Sequence, residues 1–116
     1  SYQKSLLADK KTNMKNIILK MSQKGFGCVG IINNNKNLVG IITDGDLRRN
    51  MGNMILEKRA EEIMIKNPKT ILKGKYLKEA LKIFNKEKIT VLFVLEKASS
   101  KKPIGIIHLH DCLSTY

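Results

Sequence analysis

The chain has 116 residues, 42% of them apolar and 28% charged, with 22 basic side chains against 10 acidic ones. That is enough apolar material to fill one small domain or two half-sized units with a common core, which excludes a disordered chain; no apolar run approaches the roughly 20 residues of a bilayer-spanning helix, and nothing at the start reads as a signal peptide. The net charge of +12 invites a nucleic-acid reading, but 19 of the 22 basic residues are lysines scattered from Lys4 to Lys102, with three Arg, three Phe, three Tyr and no Trp, so the arginine forks and stacking aromatics of nucleic-acid binders are missing.

Abundant Lys, Asn and Ile with little Ala is the pattern of an A- and T-rich genome. The absent initiator methionine reads as an excised or processed piece, and the expected compartment is the cytoplasm.

In chain order, a short strand is expected near Ser5–Leu7 and a helix over Asn13–Lys24, where Met14, Ile17, Ile18 and Met21 share one face. "GFGCVG" (Gly25 to Gly30) has the letters of a dinucleotide fingerprint, but here the glycines leave a helix and enter a strand, the reverse of that motif's context. Gly25 is read as the helix C-cap. A strand over Cys28–Ile32, a polar turn at Asn33–Asn37 and the strand opening "VGIITDGDLRR" (Val39 to Arg49) make a hairpin, followed by a short helix from about Asp44. Residues 55–66 read as a linking helix around "EKRAEEIMI". A second strand-opened series follows: Thr70–Leu72, a helix over Tyr76–Lys86 with Leu77, Ala80, Leu81 and Phe84 on one face, a strand Val91–Leu95, and a turn Glu96–Lys102. It ends in "IGIIHLHDCL" (Ile104 to Leu113), with a short helix from about Leu109. Cys28 and Cys112 flank apolar runs and read as small buried side chains in a reducing compartment.

These series are one unit used twice. Gly40-Ile41-Ile42 returns as Gly105-Ile106-Ile107, and Asp46 returns as Asp111. The helix faces repeat at an offset of 63 and the later motifs at 65, because the second turn is two residues longer. Each unit reads as β-α-β-β-α in a mixed α/β (α+β) fold, and one unit alone is too small to cover its sheet, so the two are expected to pack about a pseudo-twofold axis.

Asp44 and Asp46 invite comparison with a metal-binding acid pair, but only the second acid is repeated, and no further ligands converge in the sequence. Thr43-x-x-Asp46 also has the spacing of a helix capping box. In the second copy the cap position is His108, a poor cap, yet Asp111 is retained three residues on. A ligand carrying hydroxyls and an anionic group accounts for the retained acid better than capping alone. His108 and His110, two apart as on one strand face, with Asp111 and Cys112, lack the second separated pair that structural zinc needs, so no metal site is expected. No nucleophile–base arrangement is apparent either, and no catalytic residue is expected.

The duplicated unit with its Gly-apolar-apolar-Thr-x-x-Asp ending resembles a tandem pair of cystathionine-β-synthase-type (CBS) domains, a Bateman module, over nearly the whole chain: repeat 1 in residues 1–54, the linking helix in 55–66 and repeat 2 in 67–116. "GIITDGDLRR" and "IGIIHLHDCL" resemble more specifically the C-terminal CBS pair of D-arabinose 5-phosphate isomerases. The resemblance implies a regulatory module that binds a nucleotide or nucleotide-sugar (AMP, ATP or CMP-Kdo) in clefts between the repeats. Asp46 and Asp111 would meet ribose hydroxyls and Thr43 a phosphate, Arg48 and Arg49 would add charge-assisted bonds with one of the two facing solvent, backbone near Thr70 and Ile71 would line a base pocket, and His108 and His110 would stand in for the hydroxyl in the second cleft. No cofactor is required. Catalysis would belong to a preceding sugar-isomerase (SIS) domain that this stretch lacks, in an enzyme of Kdo and lipopolysaccharide biosynthesis. A homodimer through the CBS helices is expected, with no nucleic-acid or membrane partner. The alternative is a CBS pair that holds the parent oligomer together and binds nothing.

Overall fold

In the computed structural model, which describes residues 6–25, 27–52, 54–75 and 77–113, the chain divides into two compact units, with Pro68 closing the first and Lys69 opening the second. The first holds β1 (Leu7–Asp9), α1 (Met14–Lys24), β2 (Cys28–Ile32), β3 (Leu38–Thr43), α2 (Asp44–Asn50), a 3-10 turn at Ile55–Glu57, α3 (Ala60–Ile63) and β4 (Ile65–Lys66). Its strands form one sheet in the order β1-β2-β3-β4, parallel between β1 and β2 and antiparallel thereafter. The second holds β5 (Thr70–Leu72), α4 (Leu77–Glu87), β6 (Val91–Leu95), β7 (Pro103–His108) and α5 (Leu109–Leu113), with a sheet in the order β5-β6-β7.

The duplication extends to individual backbone bonds. β1 pairs parallel with β2, and β5 with β6, before each hairpin turns back. The register slips at Ile31/Ile32 in one hairpin and at the matching Val94/Leu95 in the other. Lys10 N donates to Ile32 O at 3.0 Å, and Lys73 N to Leu95 O at 2.8 Å. Asp44 N donates to Gly27 O at 3.0 Å, and Leu109 N to Thr90 O at 2.8 Å, so each final helix is tied to the residue just before its hairpin.

Helix α1 starts where it does because Asn13 is an extended N-cap whose side-chain oxygen accepts from Asn16 N at 2.9 Å, and it stops at Gly25, whose φ of 66° is cheap only for glycine. Met14, Ile17 and Met21 then bury with Val29, Ile31 and Ile42. In the second unit Ala80 and Phe84 bury with Ile71, Leu92 and Cys112. The Asn33–Asn37 turn is held by Asn33 Oδ1, which accepts from Asn35 N and Asn37 N at 2.9 and 3.0 Å.

Two expectations about elements need correction. The opening strand lies at Leu7–Asp9, further along than Ser5–Leu7, because its register is set by Gly30, Ile31 and Ile32 of β2; Ser5 itself lies outside the described residues. Residues 55–66 are not one linking helix. Met14 N donates to Lys58 O and Ala60 N to Thr12 O, both at 2.8 Å, so this segment is tied to the start of α1. Ile55, Ala60 and Ile63 bury in the first core, and tertiary pairing overrides helix propensity. The helix expected from Tyr76 is described from Leu77; Tyr76 lies outside the described residues.

Candidate functional site

Thr43 ends β3 in an extended conformation and opens α2. Its Oγ1 accepts from Asp46 N at 3.4 Å, while Asp46 Oδ2 accepts from Thr43 N at 2.9 Å and from Thr43 Oγ1 at 3.0 Å, a complete capping box. The other carboxylate oxygen, Oδ1, pairs with Arg49 Nη2. The Asp46 side chain is 3% exposed and that of Arg49 68%. A buried carboxylate is tolerable only with such partners, and here both oxygens have them. Asn50 Nδ2 closes the turn by donating to Asp46 O at 2.7 Å.

Of the two arginines named from the sequence, Arg49 makes the pair, and Arg48, the one expected at the ligand, is exposed. The signal was present in the spacing: residues three apart share a helix face, whereas residues two apart do not.

In the second unit Thr70 pairs with Phe93, and His108 with Val91. β5 is parallel to β6 and β7 antiparallel to it, so Thr70 at the start of β5 and His108 at the end of β7 lie at one end of the sheet. His110 and Asp111 follow at that end, both exposed, on α5. The side chain of Ile71 is in the core with Phe84 and Leu92, and its backbone lies in the ladder opposite Val94 of β6. His108 closes a strand and His110 lies in a helix, so the two imidazoles do not share a strand face as their spacing suggested. Among the described residues, no three His, Cys, Asp or Glu side chains are grouped to hold a metal ion, and no helix is long and apolar enough to cross a membrane.

Asp44 takes a different course from Asp46. It lies beside Gly27, where an added side-chain carbon would sit 3.0 Å from Asp44 Oδ2 on a backbone with φ +72°. The second glycine of "GFGCVG" is therefore a close-approach residue. A surface concavity of about 300 Å³ opens here, walled by Ile18, Met21, Ser22, Gly27, Asp44 and Leu47, and none of the site residues expected from the sequence lines it. Burial, and then the Asp44 charge, push the Cys28 thiol up to about 11. Burial, and then Asp111, push the Cys112 thiol up as well. Neither buried thiol resembles an activated nucleophile.

Two matching α/β units, each closing on a strand-to-helix turn that carries an aspartate, define a CBS-domain pair. The CBS family model matches residues 4–53 and 60–116, and the chain belongs to that family. Within it, the chain is 37% identical over 103 residues to the arabinose 5-phosphate isomerase KdsD of Francisella tularensis, covering 87% of this chain and 31% of the relative. It is 32% identical over 104 residues to KdsD of Pseudomonas aeruginosa, with 88% and 31% covered. The chain thus spans about a third of the length of the curated relatives it matches. Among solved structures it resembles the CBS pair of MJ0100 in complex with 5-methylthioadenosine and S-adenosyl-L-methionine, with TM-score 0.85, 19% identity and coverage of 98% and 89%. It also resembles CBSX2 in complex with AMP, with TM-score 0.81, 21% identity and coverage of 94% and 84%. At these identities the likeness shows the fold alone.

Proposed function

We propose that this CBS pair is the regulatory ligand-binding region of an arabinose 5-phosphate isomerase, taking up a nucleotide or nucleotide-sugar at the Thr43–Asp46 turn and at its counterpart around His108–Asp111. One observation carries the reading: Asp46 and Asp111 hold the same place after their strands, but only Asp46 follows a threonine cap. The threonine–aspartate pairing of the first unit therefore has no counterpart at His108, and a ligand with vicinal hydroxyls gives the retained acid a use, since a carboxylate accepts from both. The AMP and S-adenosylmethionine complexes of similarly folded CBS pairs support a ribose-bearing ligand. The KdsD relatives support an arabinose 5-phosphate isomerase as parent; the reading puts catalysis in a preceding SIS domain and the enzyme on a cytoplasmic route to Kdo. Adenine nucleotides and CMP-Kdo are the ligands to test, and Thr43, Arg48, Thr70, Ile71, His108 and His110 their further contacts. Dimerisation through the helices belongs to the same reading.

A second reading is favoured by the closed state of Asp46, whose carboxylate is already satisfied by Thr43 and Arg49. On that reading the pair is structural and binds nothing. Thermal-shift measurement with AMP, ATP, CMP and CMP-Kdo separates the two. The regulatory reading expects at least one nucleotide at millimolar concentration to raise the melting temperature, and Asp46→Ala with Asp111→Ala to remove the rise relative to that variant's own baseline. A flat response to all four supports the structural pair.

A further inference from the structure

We infer that Arg49 is an internal stand-in for the ligand at Asp46, a latch that a bound sugar must displace and that favours ligands joining a vicinal diol to an anionic group. The inference rests on the reading of Asp46 as a ligand carboxylate. Three groups bond to that carboxylate: Thr43 N, Thr43 Oγ1 and Arg49 Nη2. The Thr43 amide is held in β3, which pairs with β2 at Cys28. The arginine has a long side chain, mostly in solvent, so it is the partner that can leave without disturbing the sheet. With the carboxylate only 3% exposed, a diol cannot reach it until some covering group moves.

The two competitors offer the same thing. Arg49 gives Oδ1 an N–H donor through Nη2, and a sugar hydroxyl would give the same oxygen an O–H donor, so one excludes the other at Oδ1. Gly45 supplies the room. A side-chain carbon there would stand 3.2 Å from Arg49 Nη1 and 3.5 Å from Nη2, so the guanidinium folds back over a residue with no side chain. The second repeat lacks the device: His110 stands in the sequence where Gly45 does, and Ser114 where Arg49 does. The two aspartates are therefore unequal: Arg49 closes on Asp46, and no arginine stands at the matching place after Asp111. A displaced Arg49 is left as a cation beside the incoming ligand, where a phosphate or carboxylate on that ligand takes it up and a neutral nucleoside does not.

Calorimetric titration of the full chain with adenosine and with AMP tests this, using wild type, Arg49→Gln and Arg49→Lys, with folding checked by circular dichroism. Arg49→Gln removes the competitor, so adenosine binds about three- to fivefold more tightly, the worth of an ion pair with one exposed partner. AMP gains nothing, because it loses its own cation, and its advantage over adenosine shrinks by about the same factor. Arg49→Lys loses the fork but keeps the charge, so adenosine gains while AMP stays preferred. If Arg49→Gln leaves adenosine unchanged or weaker while wild type binds AMP, the latch is wrong and the nucleotide site stands. Equal gains for both ligands overturn the preference for anions. Silence of both ligands on wild type and Arg49→Gln at millimolar concentration removes the nucleotide reading, and the latch with it.

Discussion

Asp46 and Asp111 are the same residue in the same place of a repeated unit, yet Asp46 is buried in a capping box and Asp111 is exposed. Removing each therefore has a different cost. Asp46→Ala strips the acceptor from the Thr43 amide, the Thr43 hydroxyl and Arg49, and is expected to destabilise by about 2–3 kcal/mol in urea unfolding, the worth of a lost charged acceptor plus a lost cap. Asp111→Ala, at an exposed position, should cost under about 1 kcal/mol. Cys28 adds a pH-dependent signature. Its thiol is pushed up to about 11 by burial and by Asp44, so the folded state favours the neutral form. That contribution is complete below the ordinary thiol value near 9 and is lost as pH rises from there through about 11. Unfolding free energies measured from pH 8 to 11 should fall more steeply for wild type than for Cys28→Ala.

Packing of whole elements explains both what could be read from the sequence and what could not. The helix faces of Met14, Ile17 and Met21 and of Ala80 and Phe84 were legible because apolar residues recur at helical spacing and bury as a set. Phe84→Ala should cost about 3–5 kcal/mol by leaving a cavity against Ile71 and Leu92. The segment 55–66 was misread because its composition favours a helix, while its backbone bonds go to Thr12 and Met14, far away in sequence. The close approach of that segment to β3 was equally invisible. A side-chain carbon on Gly40 would stand 2.9 Å from Met64 Cβ, so Gly40 is what lets Met64 lie across the strand. Gly40→Ala is expected to destabilise by about 1–3 kcal/mol, and adding Met64→Ala should recover part of that loss, a non-additivity that denaturant titration of both variants and their combination will read. At the turn itself, the Thr43–Asp46 spacing disclosed the capping box. Arg48 and Arg49 were both legible as candidates and the three-residue spacing favours Arg49, but the unequal burial of the two aspartates was not legible, because it depends on what covers each one.

For the molecule as a whole, the surplus of lysine is spread over both units, and the repeated strand-to-helix turn is the feature on which the proposed function rests. A nucleotide at 100 times its dissociation constant stabilises a protein by about 2.7 kcal/mol, so a genuine site is measurable even if the affinity is modest. Melting curves report that something binds; residue-resolved shifts report where. The most direct measurement is a titration of the isotope-labelled chain with AMP and with CMP-Kdo, followed through its backbone amide resonances. The account predicts saturable shifts for one of the two ligands at Thr43 through Arg49, at His108 through Asp111, or at both. Unmoved resonances at both turns at millimolar nucleotide, or shifts confined to the concavity around Ser22 and Gly27, would contradict it.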